Sequence, residues 1–251
     1  MSELKLPTEM VSLPSKGLLY PEESPLSKGE IEMKYMSAKE EDILTNQNYI
    51  KNGTVIDKLL QSLIVTPINF DELLVADKDA ILIAARILGY GKDYDIEYFN
   101  PRSQSIEKGS VDLSELKEKE FDESLINGGV NEFTFKLPYT DNTVTFKLLT
   151  QKDEKAIEAE IRGLKKINPM ISPDATTRLK YIITSINSKR DAADIRQFID
   201  GGFLLAKDAR ALREHYNKVQ PGVELIYYPE GVEEGIPFTI GLNFFWPDFG
   251  A

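Results

Sequence analysis

No cysteine occurs among the 251 residues, and there is one histidine, His215. The first absence removes disulfides, thiol nucleophiles and thiolate metal sites, and fits a reducing compartment. The second removes any metal centre built from several histidines. His215 follows Glu214 in a polar helical stretch, where a surface position is expected. Segregated positive charge is also missing. Thirty basic against forty-one acidic side chains leave a formal charge of -11, and the densest basic features are the doublets Lys165-Lys166 and Lys189-Arg190. Such a chain repels a phosphate backbone, so nucleic acid is not an expected partner. Long apolar runs are lacking too: Ala80 to Leu88 (AILIAARIL) falls short of the roughly 20 residues a bilayer requires and contains Arg86. It is expected as a buried helix, with no membrane partner. MSELKLPTEM at the start has neither a basic nor an apolar region, so no secretory signal is expected.

Motifs of catalysis are equally sparse. GYGK from Gly89 has neither the spacing nor the hydroxyl of a phosphate loop, and no GxGxxG follows a strand. Carboxylates group at Glu22-Glu23, Glu40-Glu41-Asp42, Glu118 with Glu120, and Glu233-Glu234. A hydrolase built on acids needs two carboxyls facing each other across a cleft, and in a chain this acidic such groups read as solvated faces. The expectation is a protein that is not an enzyme, with no catalytic, cofactor or metal site.

What is present is a 41% hydrophobic content, enough for a substantial core in one large or two small domains. The opening segment is punctuated by Pro7, Pro14, Pro21 and Pro25 and has no helical or strand period. Within it, Leu18, Leu19 and Tyr20 find shelter only by lying on another surface, of this chain or of a partner. Ser37 with Glu40 forms a capping box for a helix running to about Asn52, with Gly53 as its stop. A helix from Val55 to Val65 ends at Pro67; Asn69 to Glu72 resembles another capping box. Asp77 is placed to cap a helix that is apolar on nearly every face and closes at Gly89.

From Tyr94 to Thr150 the period becomes two. YDIEYF reads as a strand, NPRSQ as a turn and Val111 to Leu113 as a short strand. Phe133, Phe135 and Leu137, then Val144, Phe146 and Leu148, alternate with polar residues across the turn PYTDN, which predicts a hairpin. Helices are predicted over Lys152–Asn168, Pro173–Asn187, Ala192–Asp200 (capped by Asp191) and Leu205–Lys218. VELIYY and IPFTIGLNFF flank PEGVEEG as a last hairpin. Phe244, Phe245, Trp246 and Phe249 then crowd into the tail, where they bury against the chain's own core or against a partner.

The segments LPSKGLLYPEESPLSKGEIEMKYMSAKEEDILT, IKNGTVIDKLLQSLI, ILIAARILGYGKDYDIE, FTFKLP, FKLLTQKDEKAIE and FFWPD, in that order, resemble the baseplate hub subunit family of T-even-type contractile-tailed bacteriophages. The resemblance implies a non-enzymatic hub component, or a transient assembly chaperone for a hub or tape-measure protein, that binds other baseplate or tail proteins. Its place would be the virion baseplate and, during assembly, the host cytoplasm. It also implies a degenerate zinc ribbon. Where relatives carry Cys-Pro-x-Cys knuckles, this chain has Asn100-Pro101-Arg102-Ser103 and Tyr228-Pro229-Glu230-Gly231, with Tyr98, Phe99, Tyr227 and Tyr228 as apolar replacements for the metal.

The expected fold is α+β: an N-terminal arm (1–36), a helical body in two parts (37–93 and 150–220), an inserted antiparallel β module (94–149) and a C-terminal hairpin with its aromatic tail (221–251). Leu18, Leu19, Tyr20, Phe244, Phe245, Trp246 and Phe249 are the candidate partner-binding residues.

Overall fold

The computed structural model describes residues 6–100, 103–126, 128–229 and 235–245. Its first strand, β1 (Thr8–Ser12), pairs antiparallel with β2 (Glu30–Lys34), Thr8 opposite Lys34 and Ser12 opposite Glu30. The proline-rich segment between them closes into a loop, Leu13 N–H donating to Gly29 O at 2.8 Å. It advances by tight turns in which Lys16, Leu18 and Tyr20 donate to the carbonyls of Leu13, Ser15 and Gly17. A short 3-10 turn, Pro25–Lys28, follows, opened by the Ser24 side chain and closed by Gly29 at φ 72°. Prolines forbid a ladder here, but they leave carbonyls free for such turns.

The helix predicted from Ser37 is two helices, α1 (Ala38–Leu44) and α2 (Gln47–Lys51). Asn46 separates them because its side-chain oxygen accepts from the amides of Asn48 and Tyr49, starting a new helix in place of continuing the old one. Gly53 stops α2 with φ 68°, and α3 (Val55–Leu63) turns Val55, Leu59, Leu60 and Leu63 inward. The long helix α4 (Val75–Tyr90) buries Ile81, Leu82, Ile83 and Ala85, and also the charged Asp77 and Arg86. Asp77 is therefore not its cap: the helix begins two residues earlier, and it ends at Gly91, past Gly89.

β3 (Asp93–Asn100) and β4 (Ser105–Asp112) form an eight-residue antiparallel hairpin, Asp93 opposite Asp112 and Asn100 opposite Ser105. The expected hairpin β5 (Phe133–Lys136) and β6 (Thr143–Phe146) is present, and β6 pairs on its other side with β7 (Ile183–Ile186). Residues 183–186 were expected to be helical. The run Ile182-Ile183-Thr184 is β-branched, and the open edge of β6 captures it once α6 ends. The remaining helices are α5 (Gln151–Ile167), α6 (Asp174–Ile182), α7 (Ala192–Asp200) and α8 (Ala206–Val219); Asp191 caps α7 as expected. β8 (Ile226–Tyr227) and β9 (Ile236–Pro237) make the short last hairpin, followed by a 3-10 turn, Leu242–Phe245. The architecture is α+β, with an N-terminal arm, antiparallel β segments and a C-terminal hairpin.

The strands of 94–149 divide between two places. β5 and β6 join β7 beside the second helical part, whereas β3 and β4 pack against the C-terminal hairpin. Tyr98 meets Tyr227 edge-to-face at 5.4 Å and Tyr94 meets Phe238 at 6.2 Å. Gly109 lets the ring lie this close, since a Cβ there would lie 2.6 Å from the Tyr227 hydroxyl and displace it. The two turns compared with zinc knuckles include Pro101, Arg102, Glu230 and Gly231, which lie outside the described residues.

Gly17 has φ 75°, and a Cβ on it would lie 2.3 Å from Ser27 O and 2.7 Å from Gly29 N. Gly17→Ala should lower stability by at least about 2 kcal/mol, combining left-handed strain with a backbone clash. Gly53→Ala, at φ 68° with nothing near its Cβ, should cost only about 1 kcal/mol. Urea midpoints of the two variants measure the difference.

Candidate functional site

The expectation that Leu19 and Tyr20 wait for a foreign surface is corrected by their surroundings. Both belong to the chain's own core, together with Leu13 and Leu26, and only Leu18 keeps part of its surface, 36% exposed. The cause is a buried carboxylate. Asp77, on the first turn of α4, accepts from Ser15 N–H at 2.9 Å, Ser15 Oγ at 2.7 Å and Tyr20 Oη at 2.6 Å. Tyr20 Oη accepts in turn from Leu74 N–H at 2.9 Å, so the arm satisfies an amide at the start of the helix. Burial pushes the Asp77 carboxyl above its ordinary range, against the downward pull of the Tyr20 and Ser15 donors. Burial also pushes the Tyr20 phenol up, with the Asp77 charge adding to it, so that it stays a donor. The arm is thus fastened by its backbone and two hydroxyls, and Leu13, Leu19 and Leu26 follow into the core.

The tail residues are placed similarly. Phe244 and Phe245 are fully buried, Phe244 lying edge-on to Tyr94 at 4.8 Å. Arg86 reaches from α4 to Phe244 O (3.0 Å), Gly91 O (3.2 Å) and Asp93 O (3.4 Å). As docking residues Phe244 and Phe245 are therefore corrected to core residues; Trp246 and Phe249 lie outside the described residues.

Exposed apolar surface occurs elsewhere. In the β3–β4 register Phe99 stands opposite Ile106, and the two are 59% and 72% exposed. Tyr94, Ile96 and Tyr98 turn to the other face, towards the C-terminal hairpin, so Phe99 is the apolar residue that breaks the alternation. That break was the available sequence signal, hidden by reading Phe99 only as a metal substitute. Tyr228, 62% exposed, is likewise free of the packing that holds Tyr98 and Tyr227. The tip is held in shape by Glu107, which accepts from Tyr98 Oη at 3.1 Å, Asn100 Nδ2 at 2.9 Å and Ser103 Oγ.

Two further features could carry chemistry. A groove of about 350 Å³ is lined by faces of α6 and α8 with Val75 and Leu149, and its charged members are Arg178 and Arg213. A smaller cleft of about 260 Å³ gathers Glu118, Glu120 and Glu123 with Lys16 and Lys119. In it Glu123 is bound by Lys16 and Lys119 donates to Asn217 O, so lysines are interleaved with the acids. Among the described residues no three His, Cys, Asp or Glu side chains are grouped so that they could hold a metal ion. His215 is not a surface residue as expected: it is half-buried, stacked on Phe135 at 4.5 Å and edge-on to Phe146 at 5.6 Å. Compared with protein-family models, curated proteins and solved structures, the chain matches none.

Asp77→Ala leaves three buried donors without an acceptor and should cost at least about 3 kcal/mol. Tyr20→Phe, which strands the Leu74 amide and one carboxylate lone pair, should cost about 1–3 kcal/mol. Denaturant titration of both variants checks the order.

The pH response has two opposed parts. Burial, with Lys218 adding to it, holds the His215 pKa below its ordinary value. The unfolded chain then takes up the proton first, so this contribution is present above about pH 6.5 and is lost as the pH falls. Burial lifts the Asp79 carboxyl to about 6. Its contribution is present below the unfolded value near 4 and is lost as the pH rises through the folded one. Between about pH 7.5 and 5, His215→Gln should gain stability relative to the wild type as the pH falls, and Asp79→Asn as it rises. Thermal midpoints across that range decide both signs.

Proposed function

We propose that the protein is a non-enzymatic component of a phage tail baseplate hub that binds other baseplate or tail proteins during tail assembly. The resemblance of its ordered segments to the hub subunit family supports the class of protein. The observation that carries the docking role is the Phe99–Ile106 pair, apolar and exposed near the end of the β3–β4 hairpin. An aromatic beside a branched aliphatic in that position gains its full burial only against a partner. This reading moves the docking surface from the arm, whose Leu13, Leu19 and Leu26 are internal, to the hairpin tip.

Replacing both residues, Phe99→Ser with Ile106→Ser, removes surface that supports no core contact. The thermal midpoint should stay within a few degrees of the wild type, while capture of tail proteins from infected-cell extract should weaken at least about tenfold. Unchanged capture of every tail protein would remove the tip from the model. Quantitative mass spectrometry of purified particles then separates a structural part, present at fixed stoichiometry, from an assembly chaperone, which is absent.

A further inference from the structure

The groove between the second-half helices carries an inference of its own. From α6 it takes Ala175, Arg178, Leu179 and Ile182, from α8 Leu212, Arg213 and Tyr216 with Gln220 just past its end, over a base of Val75 and Leu149. Leu149, Leu179, Ile182 and Leu212 are buried beneath it, so its base is apolar. At 1.5 Å per residue, the participating stretches of α6 and α8 are roughly 10 and 12 Å long. That is a trough of two helical turns, shaped for a short peptide more than for a compact molecule.

Charge narrows the occupant further. The chain carries a formal -11, yet the lining includes two arginines and no carboxylate. Arg178 is engaged by Glu154 through both terminal nitrogens. Arg213 is exposed and makes no ion pair among the described residues. Asn217 and Gln220 add side-chain amides at the rim, the type of group that meets a peptide backbone. Burial of Tyr216, whose phenol is pushed up to about 12, keeps a neutral hydroxyl there.

We propose that this groove binds an acidic peptide segment of a partner protein, a large apolar side chain filling the trough and a neighbouring carboxylate meeting Arg213. Arg213 is the selecting group: an unpaired guanidinium beside an apolar base favours anionic over neutral or basic segments. The site deepens the docking role proposed above and rests on it, but it lies on the α6–α8 face and uses none of the tip residues.

A displayed library of random twelve-residue peptides, selected against the full chain, tests it. Enriched sequences should combine one or two large apolar residues with Asp or Glu. Their synthetic forms should lose at least tenfold in affinity on Arg213→Glu and on Ala175→Trp, and less on Arg213→Lys, with thermal midpoints unchanged. Both altered positions are exposed, so folding is preserved. No enrichment, a basic consensus, or affinity indifferent to all three variants overturns the proposal. So does saturable binding of dodecanoate in the groove without peptide enrichment, which would assign it to a small amphiphile. Peptide binding that survives Phe99→Ser with Ile106→Ser supports the groove even where the tip fails, so the two readings are separable.

Discussion

Four buried carboxylates organise this molecule, and each occupies the third residue of a helix. Glu40 in α1, Asp77 in α4, Asp153 in α5 and Asp208 in α8 are the acidic residues buried among those described. The position is physically apt, because the first-turn amides and the helix field stabilise negative charge that burial would otherwise expel. Two of the four close local capping boxes, Glu40 with Ser37 and Asp153 with Thr150. The other two helices are preceded by Leu74 and Leu205, which have no capping side chain, and there the acid reaches outward. Asp77 takes the arm through Ser15 and Tyr20; Asp208 takes the β5–β6 turn through Tyr139 N–H and Thr140 Oγ1. A carboxylate freed from local capping becomes a clasp for a segment some sixty residues away.

Such clasps are costly ways to gain stability but good ways to fix register. Glu40 shows the balance: burial pulls its carboxyl up, yet Lys34, Ser37 and Ser62 together hold it down at about 2. Lys34 lies on β2, so the same carboxylate ties the arm's second strand to α1. Asp77 has no cation among its partners, only neutral donors, and a misplaced arm would leave it bare. Arg86 does the complementary work at the far end of α4, giving its donors to three carbonyls and lying near the rings of Tyr90 and Tyr94. One helix therefore holds the N-terminal segment at its first turn and the C-terminal aromatic segment at its last, which makes it the central element its apolar pattern implied.

The sequence disclosed the local devices and concealed the distant ones. Ser37 with Glu40, Asp191 before α7 and the alternation through Phe133 and Phe146 are complete within a few residues, so they could be read without the fold. Ile183–Ile186 was missed because its partner, β6, is some forty residues away, and nothing nearby distinguishes a strand from the end of α6. Asp77 was read as a cap because an acid before an apolar run suggests one; its partners, Ser15 and Tyr20, are beyond any local window. Leu19 and Tyr20 were assigned to a partner for the same reason. An aperiodic proline segment has no shelter of its own, and only the clasp reveals that shelter is provided inside the chain.

This placement reshapes what a docking role would require. A segment fastened by a buried carboxylate and four buried apolar side chains is not available for binding unless that set is broken together, at a cost comparable to much of a domain's stability. Binding by the intact protein would then use groups already outside, such as the apolar tip of the β3–β4 hairpin and the arginine-bearing groove of α6 and α8 proposed above. The Phe99–Ile106 pair of the first would suit an apolar recess; the unpaired Arg213 of the second, on an acidic molecule, would suit an anionic segment. Two surfaces of different chemistry on one chain would let two partners be held at once, and holding partners in a set relation is the demand that the proposed hub role makes.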